Sequence, residues 1–178
     1  MTLDNVNQVW ASDITYIRIE NGFVFLAVIL DLYSRKVIGW SLSKKIDRNL
    51  TINALQMAIA RRKPPKGIIH HSDRGVQYLC YEYVDLLKEN GFHILCSRKG
   101  NPYDNAWVES FMKTLKDNEV YMWHYETFID VIERIPYFIE EVYNKKRLHS
   151  SLQYFSPEEF EQKLKTDYKD HNRPKLKL

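Results

Sequence analysis

The sequence predicts an α/β fold, a five-stranded mixed sheet flanked by helices. Three observations carry this expectation: an opening of three extended segments joined by tight turns, a change of hydrophobic period after Asp47, and two later short strands set between helical stretches. Residues 9–20 alternate, with Val9, Ala11, Asp13, Thr15, Ile17 and Ile19 on one face. Asn21-Gly22 is a two-residue hairpin turn, because both residue types tolerate positive φ. The unbroken apolar character of residues 23–31 marks a central strand buried on both faces. A turn at residues 33–36 leads into a third strand over residues 37–42, closing an antiparallel meander.

Asp47 is placed to cap a helix ending near Arg62, with Leu50, Ala54, Leu55, Ala58 and Ile59 on one stripe. Residues 63–67, with two prolines and a glycine, end it. A short buried strand follows at residues 68–70, then a helix over residues 80–90 that stops at Gly91, and a fifth strand at residues 93–96. Helices are expected over residues 104–118 and 127–143, the second kinked or split by Pro136 inside the stripe Phe128, Ile132, Ile135, Ile139 and Val142. Ser156-Pro157-Glu158-Glu159 is a capping box with proline in the first helical position, opening one last short helix.

A chain of 178 residues with 44% hydrophobic and 28% charged residues is a globular domain with room for a real core. The net charge of +3 permits a polyanionic partner without demanding one. Cys80 and Cys96 have no metal-ligand spacing and read as thiols in a reducing compartment. The longest apolar run, residues 23–30, falls far short of the roughly 20 residues that span a bilayer. With no signal peptide at the N-terminus, a cytoplasmic protein is expected.

Three carboxylates stand where structure alone would not ask for them. Asp13 lies mid-strand on an otherwise apolar face, where a buried charge needs a cation or donors. Asp73 follows the fourth strand, at the carboxyl end where open α/β sheets tend to hold ligands. Glu109 shares a narrow helical arc with Asn105, Lys113 and Lys116, opposite Trp107, Val108, Phe111, Met112 and Leu115. Each has an ordinary alternative: a strand-end Asp paired with Arg, an Asp-x-Gly turn, and a solvated Glu–Lys face. His70 and His71 raise a metal reading, but no Cys or His partners stand at zinc spacing. Adjacent first and fourth strands would bring the two aspartates together, and the later helix could lay Glu109 beside them. Clustered carboxylates repel unless a hard divalent cation neutralises them, which points to Mg²⁺ or Mn²⁺.

Five ordered motifs resemble the catalytic core of bacterial insertion-sequence transposases of the insertion-sequence-three family, relatives of retroviral integrases. They are Trp10-Ala11-Ser12-Asp13-Ile14-Thr15-Tyr16, His71-Ser72-Asp73-Arg74-Gly75-Val76-Gln77-Tyr78, residues 97–106, Glu109-Ser110-Phe111, and the closing run from Tyr143 to Leu152 with Ser156-Pro157-Glu158-Glu159-Phe160. The 35 residues between Asp73 and Glu109 (74–108) match the D,D-35-E spacing of that family, and Lys116 matches its basic residue seven after the Glu.

The resemblance covers roughly residues 8–161 and implies a ribonuclease-H-like catalytic core over 1–161; residues 162–178, of low complexity after Asp167, read as a basic C-terminal tail. It implies Asp13, Asp73 and Glu109 as catalytic metal ligands. Two Mg²⁺ ions, replaceable by Mn²⁺, would be shared between Asp13 and Asp73 and between Asp13 and Glu109. Transposon-end and target DNA are the implied partners, bound by a homo-oligomer. Asn105, Lys113, Lys116, Lys145, Lys146 and Arg147 are the expected DNA contacts. The chain opens about a dozen residues before Asp13, so the helix-turn-helix region usual in the family is expected on another polypeptide or removed. The same carboxylates would serve a ribonuclease-H-like nuclease that only hydrolyses. A non-catalytic fragment that binds DNA and inhibits is the alternative outside enzymology.

Overall fold

Alternation along the first three strands sends their apolar side chains to opposite faces of one sheet, and each face meets its own helices. The computed structural model describes residues 3–73, 75–96 and 106–169. β1 (Val9–Ile19), β2 (Gly22–Asp31) and β3 (Val37–Ser43) pair antiparallel, while β4 (Ile69–Ser72) and β5 (His93–Cys96) add in parallel on the far side of β1. The order across the sheet is β3-β2-β1-β4-β5, as the meander and the later strands predict. Ile19 pairs with Gly22, so the hairpin turn is Glu20-Asn21, one residue before the expected Asn21-Gly22, and Gly22 opens β2 at φ +129°, a conformation that glycine adopts without strain.

On one face Val9, Ala11 and Ile17 of β1 and Val24, Leu26, Val28 and Leu30 of β2 pack with α3 (Ala106–Asn118), α4 (Phe128–Tyr137) and α5 (Pro157–Lys169). On the other, Trp10, Ala27 and Ile29 pack with α1 (Arg48–Arg62) and α2 (Tyr81–Glu89). A bulge lets β3 serve both layers: Val37 stands opposite Leu30 and Gly39 opposite Ile29, so Ile38 is the extra residue and joins the α1 side.

Helix ends follow their capping signals. The Asp47 side chain accepts the Leu50 N–H at 3.1 Å, and Ser156 and Glu159 exchange bonds across the first turn of α5. A second capping box, Thr127 with Asp130, opens α4. Pro136 does change the helix: α4 passes directly into a π-helical segment, Phe138–Tyr143. Proline supplies no N–H to the preceding turn, and the wider π turn absorbs the lost bond. The buried stripe here is Val131, Ile135, Phe138, Ile139 and Tyr143, and Ile132 is 45% exposed, contrary to the stripe expected from the sequence. At 100° per residue Ile132 lies a full step off the line joining Val131 and Ile135. The last helix is longer than expected. It runs through residue 162 to Lys169 and buries Leu164, so ordered structure crosses the anticipated start of the tail.

A buried charge cluster ties the two helical layers together around the end of β2. Asp31, fully buried, accepts N–H groups of Asn7, Tyr33 and Ser34 at 2.7, 3.0 and 3.2 Å. Arg62 at the end of α1 comes within 4.0 Å of Asp31 and grips both carboxylate oxygens of Glu161 on α5. Burial raises the Asp31 pKa, and Arg62 is the largest opposing influence. For Glu161, burial also pushes upward, but the Arg62 bonds outweigh it and hold the carboxyl below its usual value. Removing one partner from such a cluster leaves a stranded charge.

α1 sits unusually close to β3. A methyl group on Gly39 would lie 2.2 Å from the Ala54 carbonyl oxygen and 2.9 Å from Ala58 Cβ. Helix backbone cannot yield as a flexible side chain can. Gly39→Ala is therefore expected to destabilise the fold by about 1–3 kcal/mol in urea titration followed by circular dichroism. A variant as stable as the parent would mean that α1 does not pack on β3 in this way.

Candidate active site

The register of the two parallel central strands decides where the aspartates meet. Val9 pairs with Ile69, Trp10 with His70 and Ala11 with His71. Asp13 lies two residues beyond Ala11 in β1, and Asp73 two residues beyond His71, just past the end of β4. Asp13 Oδ1 accepts the Ile14 N–H at 2.8 Å, and Asp73 Oδ1 accepts the Gly75 N–H at 2.8 Å. The latter is the local Asp-x-Gly turn that the sequence offered as an alternative; it fixes the carboxylate at the strand end as well. The phenol of Tyr78, buried beside both, is pushed well above its usual pKa, first by burial, then by Tyr83 and Asp13, with Asp73 adding to the rise.

Beneath this pair lies a buried polar floor. His70 is fully buried, its Nε2 2.9 Å from the Tyr83 hydroxyl and its ring edge-on to Tyr83 and Phe92. Burial, reinforced by His71, lowers its pKa to about 3. His71 is buried as well. The two histidines therefore belong to the interior under the strand ends.

Glu109 arrives from α3, whose Val108, Phe111, Met112 and Leu115 are buried while Glu109 and Lys113 stay exposed. That division is the one the helical arc predicts. Asp13, Glu109, Lys113 and Lys116 line one cleft of about 390 Å³ together with Thr15 and Tyr121. Asp73 is not part of that lining. Among the described residues no group of three or more His, Cys, Asp or Glu side chains is gathered closely enough to hold a metal ion. The structure thus relates the carboxylates only in part: Asp73 follows the strand paired with β1, and Asp13 and Glu109 line one cleft. The donors are carboxylate oxygens, the chemistry suited to Mg²⁺ or Mn²⁺.

The expected DNA-contacting residues separate into two groups. Lys113 and Lys116 lie in the cleft, with Lys116 Nζ 4.9 Å above the Tyr16 ring. Lys145, Lys146 and Arg147 follow the π-helix, where neighbouring Asn144 is bonded to β3, and they do not line the cleft; Lys145 pairs with Glu141 at 2.6 Å. Asn105 and the motif at residues 97–104 lie outside the described residues.

One residue with no sequence signal supports the site. Arg35 is buried with its guanidinium carbon 3.2 Å from the centre of the Trp107 ring, at the start of α3 two residues before Glu109. Burial lowers its pKa to about 10. In the sequence it is only a turn arginine, and nothing local announces its burial.

The integrase core domain family matches residues 4–102, and a second family of the same description matches residues 90–157. The chain belongs to the integrase core family. Over 155 residues this integrase core is 43% identical to the transposase for insertion sequence element IS904 of Lactococcus lactis subsp. lactis (strain IL1403), covering 87% of this chain and 61% of that protein. It is 45% identical over 157 residues to transposase InsF for insertion sequence IS3A of Escherichia coli (strain K12), covering 88% of this chain and 54% of that one. The chain therefore spans between half and two thirds of the length of these relatives. Its fold is ribonuclease-H-like, similar to the HTLV-2 integrase catalytic core domain in complex with magnesium (trimeric form). That likeness has a TM-score of 0.65 and 18% identity over 86% of this chain and 95% of the other.

The histidine under the site gives the integrase core an acid-side stability limit. The folded His70 pKa near 3 lies below the ordinary value of about 6.5, so the unfolded chain takes up the proton first. Stability from this residue is fully present above about pH 6.5 and is lost as pH falls toward 3, by at most roughly 1.4 kcal/mol per pH unit. His149, lowered to about 4 mainly by burial, acts in the same direction. Urea unfolding between pH 6.5 and 5 should show this decline, and His70→Gln should flatten it. An unchanged slope in the variant would mean that His70 is not buried neutral.

Proposed function

We propose that this chain is the catalytic core of a DNA transposase, which cuts a phosphodiester at the end of a mobile element and joins the freed strand to target DNA. The observation that carries this reading is the parallel β1–β4 pairing, with Asp13 inside β1 and Asp73 just past the end of β4, in a chain whose relatives are named transposases. Glu109 across the cleft from Asp13 supplies the third carboxylate.

Asp13, Asp73 and Glu109 would hold divalent cations, Mg²⁺ or Mn²⁺, two in the DNA-bound enzyme. Bound there, such ions activate an attacking oxygen and stabilise the leaving one. In the first reaction a water oxygen bonds to phosphorus, the P–O3′ bond breaks, and a 3′-hydroxyl is released. In the second, that hydroxyl attacks a target phosphodiester, a new P–O bond forms, and the target's own 3′ oxygen leaves and takes up a proton. Backbone N–H groups hold the Asp13 and Asp73 carboxylates in place, and Lys113 and Lys116 neutralise phosphate charge along the cleft. Lys145, Lys146 and Arg147, outside the cleft, are assigned to a second DNA segment, and Asn105 to DNA beside Glu109. Two DNA ends call for a dimer or larger assembly. None of the described helices is long and apolar enough to cross a membrane, which fits action on DNA in the cytoplasm.

Joining is the decisive reaction. An oligonucleotide ending in a 3′-hydroxyl should be covalently transferred to a plasmid with Mg²⁺ or Mn²⁺, and lost with EDTA. Asp13→Asn, Asp73→Asn or Glu109→Gln should each abolish joining without lowering the melting temperature, because each removes one of several mutually repelling charges. Cutting without joining, over several end sequences, would identify a hydrolytic nuclease; DNA binding with neither reaction would identify an inert fragment.

Lys116→Ala should weaken duplex binding to a similar extent for all sequences and reduce the slope of log K against log salt by about one unit. Loss restricted to one sequence would mean that Lys116 reads bases and does not simply hold phosphate.

A further inference from the structure

β1 is much longer than its parallel neighbour. Beyond Ala11, no described strand pairs with it on that side, and the outer edge from Asp13 onward is left to α3 and the segment that follows. The cleft holding Asp13 and Glu109 continues along this edge into a second concavity of about 530 Å³, sharing Lys116 and Tyr121 with it. That volume is in the range that encloses small organic groups such as nucleobases.

The lining of the second concavity is mainly aromatic, with two cations, Arg18 and Lys116, against one acid, Glu20. Tyr16 on β1, Tyr121 in the 3₁₀ turn Val120–Met122, and Trp123 are 56%, 70% and 54% exposed, far above what ring surfaces of this size need for core packing. Arg18 and Lys116 bring positive charge among them. The loop carrying Tyr121 and Trp123 is held in shape. Arg134 stacks 3.6 Å from the centre of the Trp123 ring and bonds Glu119 at 2.7 Å, the Tyr125 hydroxyl donates to Glu119 at 2.8 Å, and the Tyr125 carbonyl accepts the Glu20 N–H at 3.0 Å. Exposed rings fixed in advance, beside cations and open strand-edge backbone, are the elements of a platform for unpaired bases.

We propose that this concavity binds an unpaired stretch of DNA strand leaving the carboxylate cleft, its bases stacking on Tyr121 and Trp123 and its phosphates meeting Arg18 and Lys116. The proposal rests on the DNA-processing reading and specifies which form of DNA the site takes beyond the scissile bond. An apolar peptide or a lipid surface would gain nothing from the cations, whereas a fully paired duplex keeps its bases stacked on one another and offers no free ring faces.

The test compares binding, by fluorescence anisotropy in EDTA, of a blunt duplex and the same duplex bearing a single-stranded thymidine extension. The extension should tighten binding and quench Trp123 emission. Tyr121→Ala and Trp123→Ala should each weaken binding of the extended DNA by about tenfold, the cost expected for losing one stacked base; Trp123→Ala, outside the carboxylate cleft, should leave the blunt duplex within about twofold, and Tyr121→Ala should cost the extended DNA more than the blunt duplex. Tyr121, the more exposed ring, keeps the test valid if Trp123→Ala disturbs the Arg134 stack. Equal loss on both DNAs, or no preference for the extension in the parent, would overturn the proposal while leaving the catalytic reading intact. Extension-dependent binding in EDTA, with no cutting or joining once Mg²⁺ or Mn²⁺ replaces the EDTA, would sink the catalytic reading and leave the platform standing. Failure to bind either DNA would overturn both.

Discussion

The three-residue parallel pairing between β1 and β4 is the constraint from which the rest of the site follows. A parallel strand cannot reach its neighbour by a tight turn, so the chain must first cross over through β2, β3 and α1 before β4 can lie beside β1. The pairing then stops almost at once. Its brevity puts Asp73 at a strand end and Asp13 inside a strand yet next to it. The same brevity uncovers the β1 edge, against which the polar face of α3 can open a cleft.

α3 must present Glu109 while its opposite face is sealed into the core, and several contacts fix its rotation. Phe111 meets the Tyr143 ring edge-on at 4.7 Å, and Trp107 carries Arg35 on its face. One partner comes from the π-helix and the other from the β2–β3 turn, both distant in sequence, so the orientation of α3 depends on tertiary packing. Its intrinsic propensity says little about which side faces Asp13. The Asp31–Arg62–Glu161 cluster acts at a larger scale, linking α1 and α5 across the sheet.

Much of this was legible in the chain itself because period and punctuation agree. The alternation of β1, the Asp47 cap and the Ser156–Glu159 capping box each have a local physical cause, and each appears where that cause puts it; the first hairpin turn falls one residue earlier than Asn21-Gly22, at Glu20-Asn21. The arc of α3 separated Glu109 and Lys113 from the core correctly. What the sequence could not supply was long-range geometry. Arg35 lies in a hydrophilic turn and is buried only because Trp107 arrives from more than seventy positions away. The burial of Val131 and exposure of Ile132 depend on which of two neighbouring stripes meets the sheet. The basic run at 145–147 looked equivalent to Lys113 and Lys116, yet charge alone carries no address, and it stands outside the cleft.

Asn144, immediately before that run, does something of a different kind. Its side-chain oxygen accepts the Val37 N–H at 3.0 Å, and its side-chain nitrogen donates to the Val37 carbonyl at 2.9 Å. One carboxamide thus imitates both hydrogen bonds of a missing strand residue on the outermost strand of the sheet. Such margins are otherwise templates on which a second polypeptide can extend the ladder. Filled by a side chain of the same molecule, this one is chemically finished at Val37, and the sheet ends there by satisfaction rather than by steric blockade. The rim of β3 is thereby kept from drifting into unplanned strand exchange with another copy at this point.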